Sequence, residues 1–297
     1  MSGQFPDPIT PTRTRIGWVG IGVMGGAMAS RLISAGYSVS IYARSPSKAA
    51  SFLSAGANLV DSPADLAASC DVIFTMIGHP SDVKSLVLDT LLPSLNPNTV
   101  IVDHTSSDPA LARQIYESAL DRRCYAIDAP VSGGDVGARL GKLAIFAGGD
   151  VEVAEWLRPL FDVLGKVSYM GEAGKGQSCK IANQIVVGGG LVGLSEGLVF
   201  AEKAGLDKDE FVEAVKGGAA GSMVMELFGK RMIARDFRPG GFAEYMVKDL
   251  GMGVDGEVVV LPGAALSKQL FSAMVGNGDG KLGTQGVITV IERINGI

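Results

Sequence analysis

The sequence predicts an α/β fold in which a doubly wound parallel sheet is followed by one long interdomain helix and an all-α C-terminal domain. Up to about residue 170, short apolar segments alternate with helical patterns, which is typical of a parallel sheet covered by helices. A long apolar helical pattern then runs over 176–204, and only helical patterns follow it. We therefore expect a flexible tail (1–14), a sheet domain (15–175), the interdomain helix (176–205) and a helical domain (206–297).

Apolar segments with strand propensity mark the predicted sheet. They are RIGWVGI (15–21), YSVSIYA (37–43), DVIFTMI (71–77), NTVIVDH (98–104), CYAIDA (124–129), KLAIFAG (142–148) and VSYM (167–170). Helical patterns between them cover 26–35, 48–55, 109–120 and 151–164. Beyond the interdomain helix, further helices are predicted at 207–216, 222–234, 242–252, 263–275 and 284–294. For EVVVLP (257–262) we favour a helix entry at Pro262 over a strand, because no neighbouring segment would pair with it.

Composition narrows the classes of function. The 297 residues are 47% hydrophobic, and the formal net charge of -5 argues against binding to nucleic acid or to an acidic membrane surface. The odd number of cysteines, without a CxxC pair, favours a reducing compartment. We predict a cytoplasmic location and leave a mitochondrial one open. With only two histidines and no Cys/His cluster, we expect no metal site.

Two segments of the sequence bear on membrane targeting. The N-terminal 15 residues are polar and rich in proline, and they lack the apolar centre of a secretory signal. The most apolar run, 185–200, is interrupted by Ser195 and Glu196, is rich in glycine and is too short to span a bilayer. We therefore predict no transmembrane helix.

A GxGxxG motif connects the first predicted strand to the first helix. It runs Gly20-Ile21-Gly22-Val23-Met24-Gly25. In this context the first glycine allows a tight turn, the second lets a pyrophosphate approach the backbone, and the third lets the helix pack closely on the strand. The pyrophosphate would lie at the helix N-terminus, where N–H groups and the helix dipole favour an anion. The motif therefore predicts a dinucleotide site.

The residues after the second strand bear on which dinucleotide is bound. NAD sites usually have a carboxylate there, which accepts a hydrogen bond from the ribose 2′-OH. This chain has Arg44 and Ser45 instead, and a guanidinium can pair with a 2′-phosphate. We predict that NADP is preferred to NAD. If Arg44 is an ordinary surface arginine, the preference stays open.

Two further segments carry candidate binding residues. The segment DAPVSGGDVGA (128–138) is too glycine-rich for a stable helix, so we expect a loop. Its Ser132, Gly133 and Gly134 offer a hydroxyl and unhindered N–H groups to a carboxylate. The alternative is a plain turn. The segment GQSCKIANQ begins the interdomain helix. In it, Lys180, Asn183 and Gln184 occupy positions i, i+3 and i+4, so all three share one helical face.

GxGxxG, DAPVSGG and GQSCKIAN, in this order, resemble the β-hydroxyacid dehydrogenase family. Its members include 3-hydroxyisobutyrate dehydrogenases, tartronate semialdehyde reductases and glyoxylate/succinic semialdehyde reductases. The resemblance covers about residue 14 to 294. It implies a Rossmann-type NAD(P)-binding domain, an interdomain helix, and a helical domain for substrate binding and dimerisation. It also implies an NAD(P)-dependent oxidoreductase that transfers a hydride between nicotinamide and a small 3-hydroxy acid/semialdehyde pair, and a homodimer or homotetramer.

The resemblance also implies roles for individual residues. Lys180 corresponds to the catalytic lysine, and Asn183 to the asparagine that contacts the substrate. Ser132, Gly133 and Gly134 correspond to the loop that binds the substrate carboxylate. The implied cofactor contacts are the turn Gly20, Ile21, Gly22, Val23, Met24 and Gly25, together with Met76, Ile77, Thr105 and Lys248. Asp249 is expected to form an ion pair with Lys248.

Departures from the family pattern leave the substrate open. The Asn183-Gln184 pair looks more like tartronate semialdehyde reductases than like many 3-hydroxyisobutyrate dehydrogenases. In GNGDGKLGTQG (276–286), Lys281 and Gly283 replace a second acidic residue and a serine that members often have. Tartronate semialdehyde or glyoxylate/succinic semialdehyde reduction is therefore an alternative activity. A phosphogluconate-type dehydrogenase and an imine reductase are disfavoured. A non-catalytic NADP-binding sensor is a further alternative, which turnover would exclude.

Overall fold

The computed structural model describes residues 7–256 and 259–297, which divide into two compact units between Lys180 and Ile181. The first unit is built on one sheet. Its strands are β1 (Arg15–Val19), β2 (Ser38–Tyr42), β3 (Asn58–Leu59), β4 (Val72–Thr75), β5 (Val100–Asp103), β6 (Tyr125–Asp128), β7 (Val131–Ser132), β8 (Leu143–Gly148) and β9 (Gly165–Gly171). The strand order is β3-β2-β1-β4-β5-β6-β8-β7, and β9 also pairs with β8.

The first six strands are parallel, as a doubly wound sheet requires. Every residue of β4 and β5 is buried, because helices cover both faces of a parallel sheet. β8 runs antiparallel to both β6 and β7, and β9 then runs parallel to β8. The predicted fold class is confirmed. The short strands β3 and β7 were not predicted.

Helices of the first unit connect these strands. They are α1 (Val23–Ser34), α2 (Ala50–Ser54), α3 (Pro63–Ser69), α4 (Pro80–Lys84), α5 (Leu92–Ser94), α6 (Pro109–Leu120), α7 (Gly134–Leu140), α8 (Val151–Trp156) and α9 (Arg158–Leu164). A 3₁₀ turn, Pro46–Ala49, precedes α2, and a π-helical segment, Ser85–Leu91, joins α4 to α5. Asp108 and Asp150 cap α6 and α8 by accepting hydrogen bonds from first-turn N–H groups, so side-chain caps fix where these helices begin.

The expectation that 128–138 is too glycine-rich for a helix is wrong. α7 begins at Gly134 and ends at Leu140, before the left-handed Gly141. It packs against α1 and buries Gly137 and Ala138, so tertiary packing outweighs its weak helix propensity.

The second unit is helical. α10 (Lys175–Lys203) begins in the first unit and is followed by α11 (Lys208–Val215), α12 (Met223–Ile233), α13 (Ala243–Val254), α14 (Pro262–Gly276), a 3₁₀ turn (Thr284–Val287) and α15 (Ile288–Ile294). A Cβ on Gly188 would lie 3.4 Å from the Leu250 side chain, so this glycine lets α10 and α13 approach closely. Glu257 and Val258 lie outside the described residues, and α14 begins at Pro262 as the helix-entry interpretation predicted.

Two further sequence predictions concern the N-terminal tail and transmembrane helices. Of the predicted tail, residues 1–6 lie outside the described residues, whereas Ile9 is buried in the core of the first unit. Among the described residues, α10 is long and apolar enough to cross a membrane by length and composition alone. Half of its most apolar window is buried inside the protein, and core helices of soluble proteins pass the same test.

Candidate active site

The turn between β1 and α1 has the geometry that a pyrophosphate site requires. Gly20 has a φ of +101°, which favours glycine, and a Cβ there would lie 2.1 Å from the carbonyl oxygen of Met76. The indole Nε1–H of Trp18 donates to the Gly20 carbonyl at 3.1 Å. A Cβ on Gly25 would lie 2.0 Å from the same Gly20 oxygen. Both glycines are therefore needed for close packing inside the turn.

Gly22 differs from its two neighbours in the motif. It is the N-cap of α1, and within the described part of the chain no heavy atom lies within 4 Å of where its Cβ would be. The first turn of α1 contains no acidic residue. An anion therefore has open space at a helix N-terminus without a competing carboxylate, and this turn fits the pyrophosphate of a dinucleotide.

The loops after the next strands lie at the same carboxyl-terminal edge of the sheet. Asp103, which ends β5, accepts hydrogen bonds from the Thr75 hydroxyl at 2.7 Å and from the Thr105 N–H at 3.0 Å. The Thr105 hydroxyl in turn accepts from the Ile77 N–H at 3.0 Å. Thr105 is 1% exposed, so its side chain fixes the loop that begins at Met76. A direct contact of Thr105 with the cofactor stays a prediction.

Arg44 and Ser45 follow β2 directly, and both are exposed. Ser45 is the N-cap of the 3₁₀ turn Pro46–Ala49. The two side chains are therefore open to solvent at the place where a dinucleotide fold meets the adenosine ribose.

The predicted carboxylate loop is the junction of β7 and α7. Ser132 ends β7, and Gly133 and Gly134 both have positive φ, +132° and +62°. No heavy atom of the described residues lies within 4 Å of a Cβ placed on Gly134. The loop therefore presents backbone that a small anion can approach.

Asp128, at the end of β6, binds the start of α10. Its two carboxylate oxygens accept hydrogen bonds from the N–H groups of Gly174 and Gln177, both at 2.8 Å. The side chain is 6% exposed, and this burial raises the pKa of Asp128 to about 6, although the two N–H donors act in the opposite direction. Sequence reasoning assigned Asp128 no role, although a carboxylate ending a buried strand signals that partners must be found for it.

Gln177 continues this network and is completely buried. Its Nε2 donates to the Thr105 carbonyl at 2.7 Å, and its Oε1 accepts from the Ser107 N–H at 2.8 Å. Lys180 follows three residues later on α10 and is 8% exposed. The first unit thus brings the lysine-bearing helix, the loop after β5 and the end of β6 together through buried hydrogen bonds.

The remaining predicted residues lie in the second unit. The Asn183 amide donates to Gln184 Oε1 at 3.0 Å, and Gln184 Nε2 donates to Asp249 Oδ2 at 2.7 Å. Lys248 Nζ lies 3.0 Å from Asp249 Oδ1, so the predicted ion pair is present. Asp249 therefore supports both the lysine and the amide pair. Across the described ranges, no group of three or more His, Cys, Asp or Glu residues is placed to hold a metal ion.

Family models match the chain over almost its whole length. The NAD binding domain of 6-phosphogluconate dehydrogenase matches residues 15–173. The model described as NAD-binding of NADP-dependent 3-hydroxyisobutyrate dehydrogenase matches residues 174–291. The chain belongs to the β-hydroxyacid dehydrogenase family. This β-hydroxyacid dehydrogenase is therefore an NAD(P)-dependent oxidoreductase, as the motifs predicted.

Named relatives of this β-hydroxyacid dehydrogenase agree with that assignment. A probable 3-hydroxyisobutyrate dehydrogenase-like 3, mitochondrial, of Arabidopsis thaliana is 58% identical and is aligned over 100% of this chain and 93% of its own. A 2-hydroxy-3-oxopropionate reductase of Escherichia coli is 36% identical over 94% of this chain and 97% of its own. The solved structure of a Mycobacterium tuberculosis 3-hydroxyisobutyrate dehydrogenase with L-serine has a TM-score of 0.83 and 26% identity, covering 94% of this chain and 99% of that one.

Proposed function

We propose that this enzyme interconverts a small 3-hydroxy acid and its semialdehyde with Lys180 as the acid/base. The supporting observation is the buried position of Lys180 on α10, one turn after a helix start that Asp128 binds. Asp128 ends β6, and Ser132 ends β7, the next strand along the chain in the same sheet. The sheet that holds the start of the lysine-bearing helix therefore also carries the candidate carboxylate loop. A buried ammonium is well suited to stabilise charge that develops on a substrate oxygen.

In the proposed mechanism, bound NAD(P)H supplies the hydride for aldehyde reduction. The Lys180 ammonium stabilises the negative charge on the aldehyde oxygen and donates its proton to that oxygen; in the oxidising direction the lysine amine takes the proton back. The Ser132 hydroxyl and the N–H groups of Gly133 and Gly134 hold the substrate carboxylate. The Asn183 amide donates to the reacting oxygen and orients it.

For the cofactor, we propose NADP in preference to NAD. Arg44 and Ser45 are exposed after β2, where a carboxylate specific for the NAD ribose is absent from the sequence. The description of the model that matches residues 174–291 also names NADP. The Gly20–Gly25 turn would hold the pyrophosphate, and Met76, Ile77, Thr105 and Lys248 would contribute the other contacts.

For the substrate, tartronate semialdehyde is the alternative to methylmalonate semialdehyde. It is the 2-hydroxy-3-oxopropionate in the name of the Escherichia coli relative. The Asn183-Gln184 pair supports it from the sequence. The name of the plant relative supports a mitochondrial location over the cytoplasmic one, which cell fractionation would test.

The proposal is tested by turnover with a panel of aldehydes. Methylmalonate, tartronate and succinic semialdehydes and glyoxylate are each assayed with NADPH and with NADH. We expect one of them to be turned over, with a higher kcat/KM for NADPH. Lys180→Ala should lower kcat by a factor on the order of 10² or more, because it removes the proton donor. Lys203→Ala, at the exposed far end of the same helix, is the matched control and should retain activity.

Each part of the proposal has its own contradicting result. Full activity in Lys180→Ala would reject the lysine as the acid/base. Equal kcat/KM values for the two cofactors would reject the NADP preference. Tight NADPH binding without turnover of any of these aldehydes would favour an unusual substrate or the sensor alternative.

A further inference from the structure

A buried hydrogen-bond network joins three parts of the first unit that are distant in sequence. Asp128 accepts from the N–H groups of Gly174 and Gln177, and the Gln177 side chain is bonded to the backbone of Thr105 and Ser107. Every bond of this set joins a side chain to the backbone, with the partners 46 to 72 positions apart. The network therefore sets where α10 begins relative to the loop after β5.

Close packing leaves this helix start no room to shift. A Cβ on Gly176 would lie 2.3 Å from the Phe146 carbonyl oxygen and 2.8 Å from Asp128 Oδ2. A Cβ on Gly148 would lie 2.7 Å from Asp128 Oδ1 and 2.7 Å from the Gly176 nitrogen. Backbone from β8 thus packs closely against backbone from α10, and the Asp128 carboxylate packs against both. Since interiors are packed this densely, small movements of the helix start are strongly opposed.

Asp128 and Gln177 form more buried hydrogen bonds than the capping of a helix requires. Asp150 caps α8 through a single carboxylate oxygen at the surface, which is sufficient to begin a helix. Asp128 instead is buried with both oxygens engaged, and burial of a carboxylate costs free energy that a surface cap does not. Gln177 likewise uses both its donor and its acceptor on one loop. Such fully bonded buried groups fix one geometry.

We propose that Gln177 and Asp128 are positioning residues that hold Lys180 in register with the cofactor loop after β5. Gln177 lies one helical turn before Lys180 and binds both sides of Ser106, so it ties the lysine to the loop of Thr105. Asp128 fixes the axial position of the same turn through Gly174. This inference rests on the proposed function, because it assigns Lys180 the chemical role.

The two residues should fail in different ways. Gln177→Met has a similar length but neither donor nor acceptor, so it leaves the Thr105 carbonyl and the Ser107 N–H unbonded and loosens the cofactor loop. Asp128→Asn keeps one acceptor oxygen, but its NH₂ group faces an N–H donor at Gly174 or Gln177. It should displace the lysine turn while leaving the loop after β5 bonded to Gln177.

The test compares cofactor affinity, catalysis and local opening in the full-length enzyme. NADPH Kd is measured by fluorescence titration without aldehyde, kcat and aldehyde KM by turnover, and backbone opening by amide hydrogen exchange over residues 105–107 and 174–180. For Gln177→Met we expect Kd to rise about 10-fold and kcat to fall about 10-fold, with faster exchange in both segments. For Asp128→Asn we expect kcat to fall about 10-fold, with Kd and KM within about 2-fold of wild type.

Matched controls separate positioning from general loss of stability. Asp150→Asn changes a cap of the same residue type on α8, and Gln114→Met makes the same replacement on the exposed face of α6. Both should retain wild-type Kd and kcat. If Gln177→Met and Asp128→Asn lower only the thermal midpoint and match the controls in Kd, kcat and exchange of 105–107, the positioning role is overturned. Since Kd and exchange do not depend on proton transfer, failure of Lys180 as the acid/base remains distinguishable.

Discussion

At the scale of single residues, His104 is a buried titratable side chain whose surroundings disfavour its charged form. It is completely buried, its Nδ1–H donates to the Ala129 carbonyl at 2.5 Å, and its ring is stacked on Phe74 at 5.3 Å between centroids. Burial lowers the pKa of His104 to about 4, because the charged imidazolium would be removed from solvent. The ring of His104 is therefore packed into the core of the first unit.

This shift predicts a pH-dependent contribution to stability. Unfolded chains bind a proton at His104 below about pH 6.5, whereas the native state stays neutral down to about pH 4. The contribution of His104 to stability is therefore fully present above pH 6.5. It is lost as the pH falls from about 6.5 to about 4, by about 1.4 kcal/mol per pH unit. Asp128 acts oppositely: its native pKa of about 6 lies above the unfolded value, so its contribution to stability grows as pH falls below 6.

Because these two contributions oppose each other, the measurement must isolate His104. We expect the free-energy difference of unfolding between wild type and His104→Asn to shrink by about 2 kcal/mol between pH 7 and pH 5. Urea unfolding at both pH values gives this difference, and measurements at pH 7 and 8 should agree with each other. A difference that stays constant down to pH 5 would show that the histidine titrates normally in the native state.

The residues that sequence reasoning found and missed differ in the kind of partner they have. The glycines of GxGxxG and Lys180 belong to contiguous motifs whose meaning depends on local order and spacing. Asp128 and Gln177 act through backbone N–H and C=O groups far away in the chain, and every residue type offers those groups. No pattern of side chains marks such partners, so only the folded geometry reveals them.

At the scale of secondary-structure elements, the turn between β1 and α1 contains closely packed glycines and one glycine with open space around it. Gly25→Ala would place a methyl group 2.0 Å from the Gly20 oxygen, so we expect a loss of stability of about 2–4 kcal/mol. Gly22 has an extended conformation that alanine accepts, and the space around its Cβ is open within residues 7–256 and 259–297. Gly22→Ala should therefore fold with a midpoint close to wild type and raise the NADPH Kd at least about 10-fold, because the methyl group would occupy the space for the pyrophosphate.

Thermal unfolding together with NADPH titration of both variants checks this prediction. Wild-type affinity in Gly22→Ala would mean that the pyrophosphate lies elsewhere.

The strands of this region were predictable because apolar alternation and the glycine motif are local signals. α7 was not, since its seven residues, GDVGARL, have weak intrinsic propensity and are stabilised by packing on α1.

At the scale of the whole molecule, the order of sheet and helices followed from the sequence because each unit has its own periodicity. The first unit alternates strands and helices, and the second has helices alone, with a core formed by residues such as Leu191, Leu250 and Phe271. Periodicity reports which face of an element is buried, but it does not distinguish burial by the same chain from burial by a second copy. The exposed apolar faces of the helices therefore bear on assembly.

One face of α10 is apolar yet exposed, which supports the predicted homodimer or homotetramer. Val186 and Phe200 are each 73% exposed, and between them a Cβ on Gly189 or Gly193 would meet no heavy atom within 4 Å among the described residues. Exposed apolar faces of this kind are typical of association surfaces. We expect light scattering with size exclusion to show an oligomer at micromolar concentration, and Phe200→Glu to shift it to a smaller species by placing a charge in the interface. Leu206→Glu changes an exposed leucine just beyond α10 and should leave the mass unchanged. A monomeric wild type, or an oligomer indifferent to Phe200→Glu, would contradict association through this face.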